Sequence, residues 1–301
     1  MTDKASSEAI IRRACPSWAR LEGLVVHGWK VLGPIGRGGT AEVYRLQHEK
    51  DKSEGALKLL LPDFAKDADC QKLFLREADF LEDFNHQGIP KIFAQTTVLD
   101  RLALIMDYVP GDNLMTLLHQ GKKLPPLSVL MAACKIISYL HEQNVIHNDI
   151  KLANFILSPK GRIHCVDFGS ARRLSMSSTF FRRFKGSEKV QGTPSYLAPE
   201  LIQGKGPSKS SDVWALGILA HYLHAGSAPF QGEDASQTLK MILGNPMPSL
   251  KSRCEQVDGS LSNIVDRCLI IDPQLRYGTA TELLEILRRY RDGTASHRRP
   301  R

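Results

Sequence analysis

The pattern of apolar and polar positions divides the chain into a part with strand-like alternation and a part with helical spacing. Between residues 29 and 61, three alternating or apolar runs are separated by Gly-rich and charged segments, which is typical of consecutive antiparallel strands. Residues 67–85 have apolar side chains at helical spacing. Two further strand-like runs, 91–99 and 101–109, are joined by a turn at Asp100. This part of the chain therefore predicts a small antiparallel sheet with one helix.

Helical spacing dominates after residue 113. The segment 125–144 predicts a long helix with proline at its start. Short strands are expected on both sides of VIHNDIKLANFIL at 145–157, and the chain is again mostly helical from about residue 196. These elements predict an α+β fold with two lobes, hinged near Asp107 to Gly111. The predicted division is a leader at 1–28, for which a helix is one option, a sheet lobe at 29–108, a larger and mainly helical lobe at 109–290, and a basic, disordered tail at 291–301.

The composition is that of a soluble globular protein. The chain has 301 residues, of which 42% are hydrophobic, enough to fill the cores of two modest domains. Its apolar stretches are interrupted before the roughly 20 residues that a membrane span needs, and the N-terminus has no apolar signal core. We therefore predict a cytosolic protein. The six cysteines lie far apart without a CxxC pair, which predicts reduced thiols rather than a disulfide framework or a zinc site.

The net charge of +8 is concentrated in two segments. Residues 288–301 carry six Arg and one Asp, and residues 170–191 carry six Lys or Arg and one Glu, so each segment contributes +5. The rest of the chain sums to −2, so the fold as a whole is not basic. Nucleic acid is therefore not an expected partner, although binding of the tail to nucleic acid or acidic lipid stays open as a second option.

A glycine-rich segment, IGRGGTAEVY, lies between the first two strand-like runs. Gly36, Gly38 and Gly39 would let backbone N–H groups approach phosphates, because glycine has no Cβ atom. A plain glycine-rich hairpin explains the same residues equally well. A dinucleotide-binding fold would need a helix after the loop, whereas AEVYRLQH is strand-like.

Lys58 and Glu77 are charged residues inside apolar patterns. Lys58 lies in the strand-like GALKLLL, and Glu77 lies on the apolar side of the predicted helix. Either residue alone could be a surface residue whose aliphatic stem lies along apolar neighbours. Together they predict an ion pair that can orient a phosphate group.

VIHNDIKLANFIL and IHCVDFGSA place four polar side chains next to short apolar strands. Asp149 and Asn154 are five residues apart, and Asp167 follows Asp149 by eighteen. Oxygen ligands suit Mg²⁺, which proteins usually hold with one or two side chains together with substrate phosphates. We interpret Asn154 and Asp167 as candidate metal ligands. Asp149 would then be free to accept a hydroxyl proton, and Lys151 to neutralise charge on a phosphoryl group.

These motifs resemble those of the protein kinase family over about residues 29–290, as a eukaryotic-type serine/threonine kinase of the stand-alone form known in bacteria. Seven of them stand in family order. They are the glycine loop, Lys58 with Glu77, HNDIKLAN, DFG at 167–169, GTPSYLAPE at 192–200, DVWALG at 212–217 and DPQLR at 272–276. The resemblance implies a bilobal fold and ATP-dependent phosphorylation of proteins, with Mg²⁺ or alternatively Mn²⁺.

The resemblance also implies roles for particular residues. Asp149 would be the base, with Lys151, Lys58 and Glu77 as the other catalytic residues, and Asn154 and Asp167 would hold the metal. Met106 would flank the adenine, whose hydrogen bonds would come from the backbone of Asp107 and Val109. The implied nucleotide site comprises Ile35, Gly36, Gly38, Gly39, Val43, Ala56, Lys58, Met106, Asp107, Val109 and Ile156.

Two further pairs bear on the branch of the family and on its structure. Lys151 and Thr193 are similar to the serine/threonine branch, so protein Ser or Thr is the implied acceptor. Glu200 and Arg276 resemble the buried ion pair that anchors the end of the activation segment. Candidate sites of self-phosphorylation in that segment are Ser175, Ser177, Ser178 and Thr179.

The sequence departs from the family pattern at four positions. Ala41 replaces the third glycine of the loop, and Asn148 stands where the family commonly has an Arg that pairs with an activation-loop phosphate. We therefore predict activity that does not depend on that switch. Ala153 and Asn113 occupy positions that are often acidic in Arg-directed kinases, so acidic rather than basic substrate contexts are favoured, which the basic segment 170–191 supports.

Two alternatives to a protein kinase remain. A pseudokinase scaffold usually lacks the lysine, the base or a metal ligand, and all of these are present here. A small-molecule kinase of related fold should lack the GTPSYLAPE segment. His221 and His224 lie one helical turn apart and are interpreted as packing residues rather than metal ligands.

Overall fold

The structure of the protein is a computed structural model, which describes residues 21–174 and 194–297. The described chain forms two compact units. The first comprises residues up to Asn85 together with Pro90–Val109, and the second comprises His86–Ile89 together with the residues from Pro110 onward.

An antiparallel six-stranded sheet, in the order β1-β2-β3-β4-β6-β5, makes up most of the first unit. The predicted strands and the predicted helix of this region are confirmed. The elements are β1 (Val25–Val26), β2 (Trp29–Arg37), β3 (Ala41–His48), β4 (Glu54–Leu60), α1 (Ala68–Asp83), β5 (Ile92–Val98) and β6 (Arg101–Asp107).

Helix α1 begins at a capped N-terminus and buries one face. The Asp67 side chain accepts hydrogen bonds from the backbone N–H groups of Asp69 and Cys70, which would otherwise lack partners in the first turn. Phe74, Ala78, Phe80 and Leu81 are buried. Glu77 is buried on the same face, as its position in the apolar pattern indicated.

Residues 21–28 pack with the sheet, which the sequence pattern did not indicate. Leu21 is buried in a hydrophobic cluster with Val31 and Leu46, and β1 pairs with the start of β2. A two-residue strand is too short to show alternation, so only its partner reveals it. Residues 1–20 of the predicted leader lie outside the described residues.

The second unit is mainly helical, with a few short strands. The predicted long helix with proline at its start is confirmed, since Pro125 is the N-cap and Pro126 the first helical residue. The helices are α2 (Leu114–His119), α3 (Pro126–Glu142), α4 (Pro199–Ile202), α5 (Lys209–Ala225), α6 (Ala235–Gly244), α7 (Leu250–Arg253), α8 (Gly259–Cys268) and α9 (Ala280–His297). The strands are β7 (Asp112–Asn113), β8 (Val145–Ile146), β9 (Phe155–Leu157), β10 (Ile163–Cys165) and β11 (Arg172–Arg173).

Short strands hold both ends of the segment at 145–157. β9 pairs with β10 on one side and β7 on the other, and β8 pairs with β11. Gly111 lets the chain pass close to β9, because its φ is +120° and a Cβ atom there would lie 2.2 Å from the carbonyl oxygen of Leu157.

Helix α5 is the buried centre of the second unit, with Val213, Trp214, Leu216 and Leu219 almost fully inaccessible. Helix α9 continues to His297, past the predicted boundary at residue 291, and residues 298–301 of the predicted tail lie outside the described residues. Within the described part of this helix, Leu287 is the last buried residue.

The helices in the described part of the chain include none that is both long and apolar enough to cross a membrane. Five cysteines are free thiols, as predicted: Cys70, Cys134, Cys165, Cys254 and Cys268. Cys15 lies outside the described residues.

Candidate active site

Lys58 and Glu77 form the predicted ion pair in the first unit. The Lys58 Nζ atom donates to both carboxylate oxygens of Glu77 at 2.6 Å. The Lys58 side chain is 14% exposed and that of Glu77 is 3% exposed. Because an ion pair with little solvent around it holds its geometry, the ammonium group has a fixed position on this face of the sheet.

Strand register places three more predicted nucleotide contacts on the face that carries Lys58. Val43 lies directly opposite Lys58 in β3, and Ala56 lies two residues before Lys58 in β4. Met106 lies opposite Ala56 in β6. Since side chains alternate between the two faces of a sheet, all four point to the same side. Ala56 and Met106 are buried.

The glycine-rich segment is a turn between β2 and β3. The backbone N–H of Gly38 donates to the carbonyl oxygen of Ala41 at 2.8 Å, which closes the turn. The N–H of Leu61 donates to the oxygen of Thr40 at 2.8 Å, which ties the turn to the end of β4. A Cβ atom at Gly36 or Gly39 would meet nothing within 4 Å, so the space beside these residues is open.

The remaining predicted nucleotide residues of this unit lie in β2, before the glycine-rich turn, and at or just after the end of β6. Ile35 in β2 is 47% exposed, an unusual exposure for an isoleucine. Asp107 exchanges two hydrogen bonds with Lys91: its N–H donates to the Lys91 oxygen at 2.8 Å and its carboxylate accepts from the Lys91 N–H at 2.9 Å. Val109 is buried.

Asp149, Lys151 and Asn154 lie together in the second unit. Lys151 Nζ donates to Asp149 Oδ2 at 2.7 Å. The Asn154 amide nitrogen donates to the same Oδ2 at 3.1 Å and to the Asp149 carbonyl oxygen at 2.8 Å. The 3-10 turn Leu152–Asn154 brings the amide back toward Asp149, which explains the spacing of five residues. Ile156 follows in β9, opposite His164.

His147 supports the backbone of this loop as a neutral imidazole. Its Nδ1 atom accepts from the N–H of Asp149 at 3.3 Å, so the proton is on Nε2, which donates to the Cys165 sulfur at 3.1 Å. Burial lowers the pKa of His147 and raises the pKa of Cys165, so both groups stay uncharged.

Asp212 anchors the loop from helix α5, a role that the sequence reasoning missed. Its carboxylate accepts from the backbone N–H groups of His147 and Asn148 at 2.8 and 2.9 Å, and from His141 Nε2 at 3.0 Å. His141 Nδ1 in turn accepts from the N–H of Ala280 at 3.0 Å. A carboxylate directly before the apolar run of residues 213–220 in α5 was the available signal, because buried charges are rarely without partners.

Asn148 and Asp167 both adopt left-handed backbone conformations, with φ of 62° and 71°. Asn and Asp are the residues other than glycine that occupy this region most readily. Asn148 therefore suits this sharp turn, in which its backbone N–H donates to the Asp212 carboxylate. Gly169 N–H lies 3.4 Å from Asp167 Oδ1, and Phe168 is buried with its ring 5.2 Å from that of His147.

Glu200 and Arg276 form the predicted buried ion pair. Arg276 donates from Nη1 and Nη2 to the two carboxylate oxygens at 2.9 and 2.8 Å, and Ser211 donates to one of them at 2.7 Å. Burial alone would raise the pKa of Glu200, but the hydrogen bonds from Arg276 and Ser211 outweigh it and the pKa is lowered.

Two of the positions that differ from the family pattern are Asn113 and Ala153, which the structure describes. The Asn113 side chain accepts from the N–H of Thr116 at 2.9 Å and caps helix α2. Ala153 is exposed. The proposed phosphorylation sites at Ser175, Ser177, Ser178 and Thr179, and also Thr193, lie outside the described residues.

Comparison with known proteins gives related sequences in bacteria and plants. A probable serine/threonine-protein kinase of Streptomyces coelicolor is 32% identical over 262 residues, which cover 84% of this chain and 38% of the relative. Serine/threonine-protein kinase PrkC of Bacillus subtilis is 31% identical over 258 residues, covering 85% of this chain and 39% of the relative. Serine/threonine-protein kinase RUNKEL of Arabidopsis thaliana is 32% identical over 252 residues, covering 82% and 17%.

The chain spans about two fifths of the length of the bacterial relatives, as the 38% and 39% coverage shows. The stand-alone form therefore stays a prediction. The protein kinase domain family matches residues 29–286, which include every motif that suggested the resemblance. The resemblance is confirmed, and the chain belongs to the protein kinase domain family.

Proposed function

We propose that this protein transfers the terminal phosphoryl group of ATP to serine or threonine hydroxyls of proteins. The observation that carries the proposal is the arrangement of Asp149, Lys151 and Asn154, whose polar atoms meet within 3.1 Å. Family membership supports the same chemistry. The division into a nucleotide-binding part at 29–108 and a substrate-binding part at 109–290 belongs to the proposal.

Asp149 would act as the base in this reaction. Its Oδ2 atom accepts hydrogen bonds from Lys151 and Asn154, which hold the carboxylate in one orientation. A substrate hydroxyl that hydrogen-bonds to the carboxylate would be oriented for attack and would lose its proton to Asp149. Lys151 would also stabilise negative charge on the transferred group, and Lys58, held by Glu77, would contact the α- and β-phosphates.

The donor atoms suit a divalent cation such as Mg²⁺, with Mn²⁺ as the alternative. The amide nitrogen of Asn154 is used in hydrogen bonds to Asp149, which directs its amide oxygen away from them. Asn154 and Asp167 thus offer oxygen ligands, which hard cations prefer. The cation, when bound, neutralises charge on the phosphates of ATP.

The adenine would bind beside Met106, with the backbone of Asp107 and Val109 as hydrogen-bond partners. The N–H of Asp107 already donates to the carbonyl oxygen of Lys91. We therefore assign the carbonyl oxygen of Asp107 as the hydrogen-bond acceptor for adenine. Val43 and Ala56 share the face of Lys58 and would cover the nucleotide. Ile35, Gly36, Gly38, Gly39 and Ile156 complete the proposed site.

We further propose an acidic substrate context, self-phosphorylation at 175–179, and a location in the cytosol. Asn113 is used as a helix cap and Ala153 carries no charge, so neither can attract arginine upstream of the acceptor. Peptides with acidic and basic flanks, supplied to the enzyme in an array, would test the first point. Preference for basic flanks would contradict it.

The central experiment compares wild type with Asp149→Asn and Lys58→Met in transfer of labelled phosphate from Mg²⁺-ATP to protein. We expect Asp149→Asn to abolish transfer while ATP binding persists, and Lys58→Met to reduce turnover strongly. Lys209→Met is a matched control, because Lys209 is a half-buried lysine outside the proposed site whose Nζ donates to Asn144 Oδ1. Transfer by both active-site variants at the wild-type rate would overturn the proposal and favour a scaffold role.

A further inference from the structure

A second charged pair in the first unit lies on the sheet face opposite Lys58. Arg101 Nη2 donates to Glu42 Oε1 at 2.8 Å. Glu42 is 2% exposed and Arg101 is 7% exposed. Their neighbours on this face are the hydrophobic cluster that contains Leu57, Leu59 and Ala103, so the two charges are buried among apolar side chains.

The polar groups of this cluster are incompletely satisfied. Within the described residues, Arg101 Nη1 is buried and has no hydrogen-bond partner. Burial and the adjacent Glu42 charge raise the pKa of Tyr44, so its hydroxyl stays protonated. Exchanging a buried ion pair for apolar residues of similar size is often neutral or stabilising. Such a pair is weak evidence for a gain in stability, and its position in the sheet gives a better explanation.

The pair connects the glycine-rich turn to a strand that is not its neighbour. Glu42 directly follows Ala41, whose carbonyl oxygen closes the turn with Gly38, and it lies opposite Arg37 on the other side of the turn. Arg101 begins β6, and β4 lies between β3 and β6. The ion pair thus fastens the first residues of β3 to β6 across β4. The ion pair lies on the face of the sheet that does not carry Val43 and Lys58.

We propose that Glu42 and Arg101 are positioning residues that restrain the glycine-rich turn at residues 36–43. Ala41 occupies the place of a third glycine, so the turn has less freedom to adapt to phosphates by backbone rotation than three glycines would give. A turn held in place before binding loses less conformational freedom when it binds. The restraint itself is independent of the proposed function, whereas its use in ATP binding rests on that function.

The test replaces both charges with apolar residues, in the double variant Glu42→Leu with Arg101→Met. Removing both partners avoids leaving an unpaired buried charge. Arg45→Met with Glu54→Leu is the matched control, because this pair also starts from β3 but is exposed, at 43% and 41%. Hydrogen exchange of the Gly38 and Leu61 amides reports the turn directly, since both amides donate to it.

We expect exchange at Gly38 and Leu61 to be about tenfold faster in the buried-pair variant and unchanged in the control. The KM for ATP should rise several-fold, while kcat stays within about twofold. If the double variant does not fold, Arg101→Lys, which keeps both charges but loses the planar group, should give a smaller change in the same direction.

Unchanged exchange in the buried-pair variant would overturn the proposal, as would equal acceleration in the control. A fall in kcat with an unchanged KM for ATP would overturn the part of the proposal that concerns ATP binding. Absence of phosphoryl transfer by wild type would contradict the proposed function alone, because the exchange measurement needs no ATP.

Discussion

Histidines in the second unit differ in whether their ring nitrogens have partners. His141 is bonded at both nitrogens, to Asp212 and to Ala280. His221 is fully buried in α5 and neither ring nitrogen has a hydrogen-bond partner within the described residues. The sequence predicts a packing role for His221, and its burial agrees with that role. The helical pattern shows which residues are buried, but it does not show which buried side chains find a partner.

Lowering the pH should destabilise the protein through His221, which is buried in its neutral form. Burial, followed by the nearby positive charges of Arg253 and His224, lowers the pKa of His221 to about 4. An unfolded histidine titrates near 6.5, so the unfolded state binds the extra proton first as the pH falls. The contribution of neutral His221 is complete above about pH 6.5 and is lost as the pH falls toward 4, by at most roughly 3 kcal/mol.

Urea unfolding at pH 7.5 and 5.0 checks this prediction, with His221→Leu as the comparison. The variant should lose less free energy of unfolding between the two pH values than wild type. His147 and His86 also have lowered pKa values and remain in both proteins, so they cancel in the difference. Equal losses in wild type and variant would contradict the assignment to His221.

Among secondary-structure elements, length decides how much the sequence predicts. Helices α1 and α3 and the long strands β2 to β6 have enough residues for their periods to be visible. The two-residue strands β1, β7, β8 and β11 do not, and they exist because a neighbouring segment pairs with them. The segment at 145–157, which contains the proposed catalytic residues, was found by its residue types, whereas the short strands that hold it were expected only in outline.

The Asp67 N-cap should stabilise helix α1, which carries Glu77. Asp67→Ala removes an acceptor for two N–H groups and should destabilise α1 by about 1 kcal/mol. Native-state hydrogen exchange of the α1 amides should then be roughly fivefold faster. Asp67→Asn keeps an equivalent cap and should stay near wild type. Equal exchange in the alanine variant would show that the cap contributes little.

Across the whole molecule, buried charged pairs occur in both units, and the sequence predicted them unevenly. Lys58–Glu77 was found because each charge interrupts an apolar pattern, and Glu200–Arg276 was found because family motifs name it. Glu42–Arg101 and the bond from His141 to Asp212 were missed, since their partners are 59 and 71 residues apart and share no motif. Residues that touch substrate carry a recognisable order along the chain. Their supports depend on which elements the fold brings together.

Replacing Arg276 should lower the free energy of unfolding more than replacing Arg267. It also donates to the carbonyl oxygens of Ile270, Ile271 and Ser210, so Arg276→Met leaves a buried Glu200 carboxylate and three carbonyls with fewer partners. We expect a loss of about 3 to 5 kcal/mol in the free energy of unfolding. Arg267→Met is the control, because Arg267 and Glu282 are half-exposed and 3.9 Å apart, and should cost less than about 1 kcal/mol.

Urea denaturation followed by circular dichroism measures both variants. A loss for Arg276→Met as small as that of the control would mean that Glu200 reaches water or a new partner once the guanidinium is gone.

The helical course of residues 291–297 bears on how the protein can be shortened. The Tyr290 hydroxyl donates to Asp258, whose other carboxylate oxygen caps α8 through the N–H groups of Ser260 and Leu261. A truncation before Tyr290, drawn where the basic residues begin, would remove a tether between two helices along with the charges. Trimming only beyond residue 297 keeps that tether and still removes three of the six arginines of residues 288–301.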